Sequence, residues 1–314
     1  MKTDRIDWLD VSRGIVIILM VFGHSAIPQT INNWIYSFHM PFFFFISGML
    51  IKQKTYTDIK DFCKELYQYT GRKATSLLLP FVIYSLVNIL LYPLYGNKEM
   101  LAFGKGVLQN GWGAYALWFI PVFFVANIIC KISVISRTTT YSALFLMLIT
   151  GASFDHYNIF LPWNMSSVPF ACLYILSGYL LKECILKAKN TKKTHTIIST
   201  ILCCVIPFII SQYYRLDMCN NKVLPLLPLL LAAILGILFI INLSKFISKK
   251  SPISSILQYT GRHTFEILAF GQAIILIINA NFKINFAFKY ILLFIFIYFI
   301  CKTKDIIKKI KPII

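Results

Sequence analysis

The chain has 314 residues, of which 58% are hydrophobic and only 14% are charged. Its mean hydropathy is +0.70. These values exclude an ordinary soluble protein and indicate a chain that crosses a membrane several times. The formal net charge of +19 would also suit a nucleic-acid-binding protein, so the position of the basic residues along the chain decides between the two classes.

Repeated apolar runs predict ten membrane-spanning helices. If the chain starts in the cytosol, 25 of the 31 lysines and arginines fall in cytosolic segments and six in outer segments. Membrane proteins carry this excess of positive residues on the cytosolic side, so the charge is a topology signal and we expect no nucleic-acid partner. The predicted helices lie near residues 11–27, 34–51, 75–95, 115–135, 139–154, 166–182, 195–213, 225–247, 262–281 and 286–301.

The expected fold is an all-α integral membrane protein with about ten transmembrane helices and both termini in the cytosol. We expect a single domain over residues 1–314 that includes a short basic cytosolic tail at 302–314. The sequence has no HExxH, GxSxG or Gly-rich phosphate loop, and its eight cysteines show no paired metal-type spacing. It therefore predicts no metal site.

The first apolar run holds two ionisable residues, Arg13 and His24, with ten uncharged residues between them. Eleven helical steps of about 100° place both side chains on one face, roughly 16 Å apart along the axis. Ionisable groups inside a spanning helix are costly and by default mark a functional site. The alternative is structural, with Arg13 reaching the cytosolic interface and His24 packing with a hydrogen bond.

The second apolar run holds His39, which the predicted topology places at a depth similar to that of His24 because a short connector joins the two helices. Pro41 is expected to loosen this helix locally. Arg72 and Lys73 stand where the third helix enters the membrane. They are either a positive-inside anchor or a phosphate clamp for an anionic cytosolic ligand.

Two later residues complete the candidates. Trp118 belongs either to an aromatic belt at the membrane interface or to a stacking surface for a sugar. Glu266 is one of very few acids inside a predicted span, so we expect it to have a partner such as Arg262, one turn earlier.

Several of these residues together resemble a known family, the membrane acyltransferase 3 family, and in particular its branch related to fucose O-acetylases and other polysaccharide O-acyltransferases. Family members are ten-helix proteins that move an acyl group from cytosolic acyl-CoA to a glycan. Relatives often carry a His just before the helix-nine Gln, where this chain has Gly271-Gln272, and this weakens the case for a catalytic role of helix nine. The matching stretches are Arg5 to Asp10 with Arg13 and His24, Phe38-His39-Met-Pro-Phe-Phe-Phe-Phe-Ile-Ser-Gly48, Arg72-Lys73, Leu117 to Pro121, and Gly261-Arg262.

The resemblance implies a membrane-embedded O-acyltransferase, expected to be an O-acetyltransferase, that acts on a hydroxyl of a cell-envelope polysaccharide or its lipid-linked precursor. The co-substrate is acyl-CoA, expected to be acetyl-CoA, and no cofactor is tightly bound. The expected partners are acyl-CoA, the glycan or lipid-linked sugar acceptor and membrane lipids, in the bacterial cytoplasmic (inner) membrane. The implied catalytic residues are His24 and Arg13, and the implied substrate-binding residues are His39, Asp10, Arg72, Lys73, Trp118 and Glu266.

Neutral His24 would accept the proton of the attacking sugar hydroxyl, or would itself carry the acyl group as an acyl-histidine. The sequence leaves both routes open. The rival class is a polytopic transporter or lipid-linked-sugar flippase with His24 and Glu266 as a proton relay. That class favours inverted repeats, which the sequence does not display. A catalytically silent membrane scaffold is the third possibility.

Overall fold

A computed structural model describes residues 6–25, 27–54, 56, 58–95, 115–187, 193–248, 252–282 and 285–310. In these ranges the regular structure is helical, apart from one isolated bridge between Asp217 and Lys222. A π-helical segment and three short 3₁₀ segments join some of the α-helices. The α-helices are α1 (Asp7–Gly23), α2 (Gln29–Tyr36), α3 (His39–Met49), α4 (Ile59–Lys73), α5 (Leu79–Leu91), α6 (Phe119–Ser133), α7 (Arg137–His156), α8 (Val168–Lys187), α9 (Lys193–Tyr213), α10 (Leu226–Ile247), α11 (Pro252–Arg262), α12 (Thr264–Asn281) and α13 (Phe286–Ile310).

Six helical stretches in the described ranges are long and apolar enough to cross a membrane. They correspond to the third, fourth, sixth, seventh, eighth and ninth predicted spans. The helical membrane class is thereby confirmed, whereas the count of ten spans and the direction of insertion stay predictions. The stretches are Ile59–Leu94, Ala116–Ser133, Pro162–Lys187, His195–Tyr213, Leu226–Ile247 and Thr264–Asn281.

The second predicted span, 34–51, is not one helix. It breaks at Ser37 and Phe38 into α2 and α3, and Phe38 has the non-helical dihedrals φ −139° and ψ −16°. Pro41 explains the break, because proline lacks a backbone N–H and fits only in the first turn of a helix. The helix must therefore restart just before it, and His39 becomes the first residue of α3.

Two other predicted boundaries are also corrected. The ninth span does not begin at residue 262, because α11 ends at Arg262 and α12 begins at Thr264 after a non-helical His263. The last helix does not stop at residue 301, since α13 continues to Ile310 and includes most of the predicted basic tail. Residues 311–314 of that tail lie outside the described residues.

Glycines bring α3 and α8 together at backbone distance. A Cβ added at Gly48 would overlap the carbonyl of Ile175, and one added at Gly178 would overlap the carbonyl of Phe45. Lipid tails are as apolar as the helix side chains, so no hydrophobic force drives helices together in a membrane, and small residues that allow close packing become important. The crossing fixes α3, and therefore His39 at its start, against the core helix α8.

A second glycine pair holds α1. A Cβ at Gly14 of α1 would overlap the carbonyl of Leu257, and one at Gly261 of α11 would overlap the carbonyl of Asp10. Gly14 directly follows Arg13 and Gly261 directly precedes Arg262. The close approach of the two backbones therefore sets the position of both arginines.

The α3–α8 crossing makes a testable prediction. Gly178→Ala should lower the thermal unfolding temperature of the detergent-purified protein, because overpacking a close contact costs about 1–3 kcal/mol. Gly71→Ala is the matched control, since a Cβ at Gly71 of α4 meets no atom within 4 Å and alanine favours a helix. Equal unfolding temperatures for the two variants would contradict the packing assigned to Gly178.

Candidate active site

Helix α1 presents Arg13 and His24 to two different cavities. Arg13 lies within the helix, and His24 ends it, with its backbone N–H 3.2 Å from the carbonyl oxygen of Met20. The Arg13 cavity contains Arg13 and Lys73 among apolar side chains and measures about 260 Å³. The histidine cavity contains His24 and His39 and measures about 230 Å³.

The two cavities lie at successive levels of the same helices. On each of these elements a residue of one lining lies within four positions of a residue of the other, so about 6 Å of helix or less separates the two linings. The two cavities are therefore close neighbours. The neighbouring lining residues, given as Arg13 cavity and then histidine cavity, are Ile17 and Met20, Phe43 and Met40, Phe119 and Trp118, and Leu268 and Gln272.

The helix break orients His39 in the histidine cavity. Its Nδ1 lies 2.9 Å from the carbonyl oxygen of Ile35 in the last turn of α2, which the backbone N–H of Phe38 also reaches at 3.3 Å. A carbonyl oxygen only accepts, so Nδ1 must carry the proton of this hydrogen bond. In the neutral imidazole the other nitrogen, Nε2, is then the acceptor that can take a proton.

Tyr36 stands between the two histidines. Its hydroxyl lies 3.5 Å from Nδ1 of His24, and its ring centroid lies 4.9 Å from that of His39. The guanidinium carbon of Arg215 lies 4.6 Å from the same ring centroid, a cation–π distance. The tyrosine thus links both imidazoles to a cation on the loop that follows α9.

The remaining lining of the histidine cavity combines aromatic and polar groups. Trp118 is buried and lines the cavity, as does Asp217. The Oε1 atom of Gln272 is buried without a hydrogen-bond partner among the described residues. A buried acceptor that lacks a partner is costly, and a bound hydroxyl would satisfy it.

Asp155 anchors the loop that carries Arg215 and Asp217. Its Oδ2 accepts the backbone N–H groups of Val223 and Leu224 at 2.7 and 2.8 Å, and its Oδ1 lies 3.3 Å from Nζ of Lys222. Asn164 and Ser167 hold the same loop by donating to the carbonyls of Cys219 and Met218. The connection between α7 and α8 therefore fixes one wall of the histidine cavity.

Asp10 lies behind Arg13 and lines neither cavity. The buried carboxylate is 3.7 Å from Arg13 and 3.9 Å from Arg262. A carboxylate shared by two guanidinium groups restrains their direction. Asp10 is thus placed to position Arg13, while direct substrate binding by Asp10 stays a prediction without a cavity to support it.

Arg72 and Lys73 line a third cavity of about 320 Å³, here called the lysine cavity. It shares Ser47, Leu50 and Lys73 with the Arg13 cavity, so the two cavities adjoin. The ammonium of Lys73 lies 3.4 Å from Oδ1 of Asn127, while Arg72 is exposed. The other residues that line it are Ile51, Lys52, Lys54, Glu65, Tyr69, Asn127 and Lys131.

Glu266 lies outside these three cavities. It contacts Lys304 of α13 and accepts a hydrogen bond from the hydroxyl of Tyr84 at 3.0 Å. Glu266 therefore has the cationic partner that the sequence predicts, but that partner is Lys304 and not Arg262. The reason is that α11 ends at Arg262 and the chain turns at His263. Arg262 and Glu266 thus do not lie one turn apart on a common helix, and Glu266 ties α12 to α13 and α5.

Sequence reasoning missed Tyr36, Arg215, Asp217 and Gln272 as lining of the histidine cavity, and Lys131 as lining of the lysine cavity. For Gln272, now on α12, the sequence did carry a signal, because the family resemblance includes a Gln at this position of the ninth predicted span. The others come from segments distant in sequence, and no spacing rule relates them to His24. Within the described residues, no group of three or more His, Cys, Asp or Glu is placed to hold a metal ion.

A comparison with protein families gives one match. The acyltransferase domain model of the acyltransferase 3 family matches residues 6–301, which is nearly the whole chain. The chain belongs to this family. It is a membrane acyltransferase. Neither the curated proteins nor the solved structures gave a match to compare with it.

The family match covers all three cavities of this acyltransferase. The matched range contains every residue that lines the Arg13, histidine and lysine cavities. It also contains Asp155 and the loop that Asp155 anchors. The family assignment thus applies to the whole site and not to a part of it.

The loop anchor yields a prediction for this acyltransferase. Asp155→Ala should lower the unfolding temperature, because two backbone N–H groups lose their acceptor at a cost of about 1–3 kcal/mol each. It should also raise KM for the acceptor more than it lowers kcat, since the displaced loop lines the histidine cavity. Steady-state kinetics and thermal unfolding measure both effects.

His156→Ala is the matched control, since the neighbouring side chain is exposed. It should behave like the wild type in both measurements. An Asp155→Ala variant with unchanged acceptor KM would show that the loop does not contribute to the acceptor site.

Proposed function

We propose that this acyltransferase is an O-acetyltransferase that carries an acetyl group from cytosolic acetyl-CoA to a hydroxyl of a cell-envelope polysaccharide or its lipid-linked precursor. The proposal places it in the bacterial cytoplasmic membrane. The observation that carries it is the pair of cavities at successive levels of α1, one holding Arg13 and the other His24 and His39. This arrangement supports a donor and an acceptor that approach from opposite sides and react between them.

The donor side is supported by charge and shape. Acyl-CoA joins an anionic nucleotide to an acyl group through an extended pantetheine arm, and phosphates are commonly bound by lysine and arginine. The lysine cavity supplies several ammonium groups, and it adjoins the largely apolar Arg13 cavity, which suits the arm. The roughly 16 Å from Arg13 to His24 along the helix is within the reach of that arm.

The acceptor side is supported by the lining of the histidine cavity. Sugars present apolar faces and many hydroxyl groups, which aromatic rings and mixed donors and acceptors recognise. Trp118 and Tyr36 supply the rings, and Arg215, Asp217 and Gln272 supply the polar groups. These residues support a glycan hydroxyl as the nucleophile.

In the proposed reaction His24 acts as the general base. Its neutral imidazole takes the hydroxyl proton while the sugar oxygen forms a bond to the thioester carbonyl carbon. The carbon–sulfur bond then breaks, and the imidazolium returns the proton to the departing thiolate. The ester and free CoA are the products. His39, whose Nε2 is available as an acceptor, is the alternative base.

The histidine assignment makes a direct prediction. His24→Gln should reduce turnover about 10²–10⁴-fold without loss of folded protein, because an amide keeps a hydrogen bond but cannot take the proton. Acetyl transfer from labelled acetyl-CoA to isolated surface glycan measures the effect. Arg13→Lys should be milder than Arg13→Ala, since lysine retains the charge and loses only the forked geometry.

His39→Gln belongs in the same series, and His195→Gln is the control because His195 is exposed. Normal turnover of His24→Gln together with an inactive His39→Gln would move the base to α3. Normal turnover of both would rule out histidine catalysis in this protein.

A further inference from the structure

Three elements bring an unusual ion cluster to the lysine cavity. Glu65 of α4 places one carboxylate oxygen, Oε2, 2.8 Å from Nζ of Lys54 and the other, Oε1, 3.0 Å from Nζ of Lys131. Lys54 lies in the segment between α3 and α4, and Lys131 lies near the end of α6. One carboxylate thus holds two ammonium groups that come from different parts of the chain.

The partners differ in how much freedom they have. The Lys131 side chain is only 8% exposed, and its ammonium lies about 6 Å from the ring centroids of Tyr56 and Tyr69. A buried ammonium needs a counter-charge to offset the loss of water. The Glu65 side chain is 20% exposed, so it can leave for solvent whereas Lys131 cannot.

The cavity has more positive than negative charge. Among its described lining residues Glu65 is the only acid, beside Lys52, Lys54, Arg72, Lys73 and Lys131. A single carboxylate offsets only part of that charge. An incoming anion with more charge and more acceptor oxygens than a carboxylate would satisfy the cluster better, and a phosphate group has both.

The position of the cluster indicates which kind of phosphate-bearing ligand fits there. The lysine cavity adjoins the Arg13 cavity at Ser47, Leu50 and Lys73, which line both. A ligand that binds a phosphate at Lys131 can therefore extend an arm toward Arg13 without leaving the protein. This is the shape of a nucleotide thioester, with its charged end at the lysines and its reactive end deeper in.

We propose that Lys131 and Lys54 bind a phosphate of the nucleotide end of acyl-CoA, and that Glu65 occupies this subsite as an internal anion until the donor displaces it. The inference rests on the acyl-CoA donor of the proposed function. Lys131 exchanges one counter-ion for another and is never left unpaired. Glu65 thereby weakens donor binding and keeps the lysines in place between turnovers.

A purely structural ion pair makes the opposite prediction for Glu65. If the carboxylate only holds Lys131 in position, its removal should weaken the binding of any ligand at the lysines. If the carboxylate competes with a phosphate, its removal should strengthen that binding. The sign of the effect therefore separates the two accounts.

The test measures the equilibrium affinity of labelled CoA for the full-length protein in phosphatidylcholine nanodiscs. Glu65→Gln should tighten CoA binding several-fold, and Lys131→Gln should weaken it about tenfold, as expected for loss of a charged hydrogen bond. Lys131→Arg should restore much of the affinity. Glu183→Gln is the matched control, because Glu183 forms an exposed pair with Lys187 at 2.9 Å outside the cavity linings.

Pantetheine, which lacks the phosphates, should bind all four variants as it binds the wild type. Unchanged or weaker CoA binding by Glu65→Gln overturns the proposal, as does unchanged binding by Lys131→Gln. Repeating the series in phosphatidylglycerol nanodiscs tests the other source of a phosphate. If Lys131→Gln alters stabilisation by this lipid and leaves CoA affinity intact, the subsite belongs to a lipid headgroup and the proposal fails.

These outcomes are independent of the reaction. A wild-type protein that transfers acetyl groups, with variants that all bind CoA equally, would refute the phosphate subsite and leave the proposed function standing. The predicted pattern of CoA affinities in a protein that transfers no acetyl group would support the phosphate subsite and refute the proposed function.

Discussion

The charge on Arg13 lies in a helix of mostly apolar residues, and a charge in that setting has to be paired or face a polar cavity. Asp10 supplies the paired negative charge, and its carboxylate lies between Arg13 and Arg262. The contact is possible because Gly14 and Gly261 let α1 and α11 approach at backbone distance. Since His24 ends the same helix, the packing that fixes α1 beside Arg13 also fixes the backbone position of His24. The rest of the site is arranged around these two positions.

The Arg13 cavity and the histidine cavity lie one above the other on the same helices. The same turns of α1, α3, α6 and α12 separate the Arg13 cavity from the histidine cavity. In the proposed reaction a thioester and a hydroxyl would meet there without a shared aqueous space. Excluding water favours transfer to the sugar over hydrolysis. The break between α2 and α3 also contributes, because it brings Nδ1 of His39 to the carbonyl of Ile35, and this hydrogen bond holds the imidazole in one orientation. Asp155 adds the last wall by fixing the loop after α9.

Sequence reasoning reached the helical membrane class and the candidate residues of α1, because apolar runs, charge placement and the spacing of Arg13 and His24 are local signals. It reached the family through a resemblance to known members. It also identified Trp118 and Lys73 as candidates that now lie in cavities. It treated residues 34–51 as one helix, although Pro41 carried the signal for a restart. It paired Glu266 with Arg262 by helical periodicity, which fails where the helix ends between them. Contacts such as Glu65 with Lys131 depend on tertiary packing, which one sequence does not reveal.

The central claim is that the acetyl group passes from a donor on one side of the membrane to an acceptor on the other. Purified protein in sealed vesicles tests it directly, with acetyl-CoA confined to one side and an impermeant glycan to the other. Labelling of Cys219, near the histidine cavity, and of Cys63 on α4 by an impermeant thiol reagent reports the orientation in each preparation. The account predicts acetylated glycan only when acetyl-CoA is on the side of Lys131 and the glycan on the side of Cys219. Efficient acetylation with both substrates confined to the same side would contradict it.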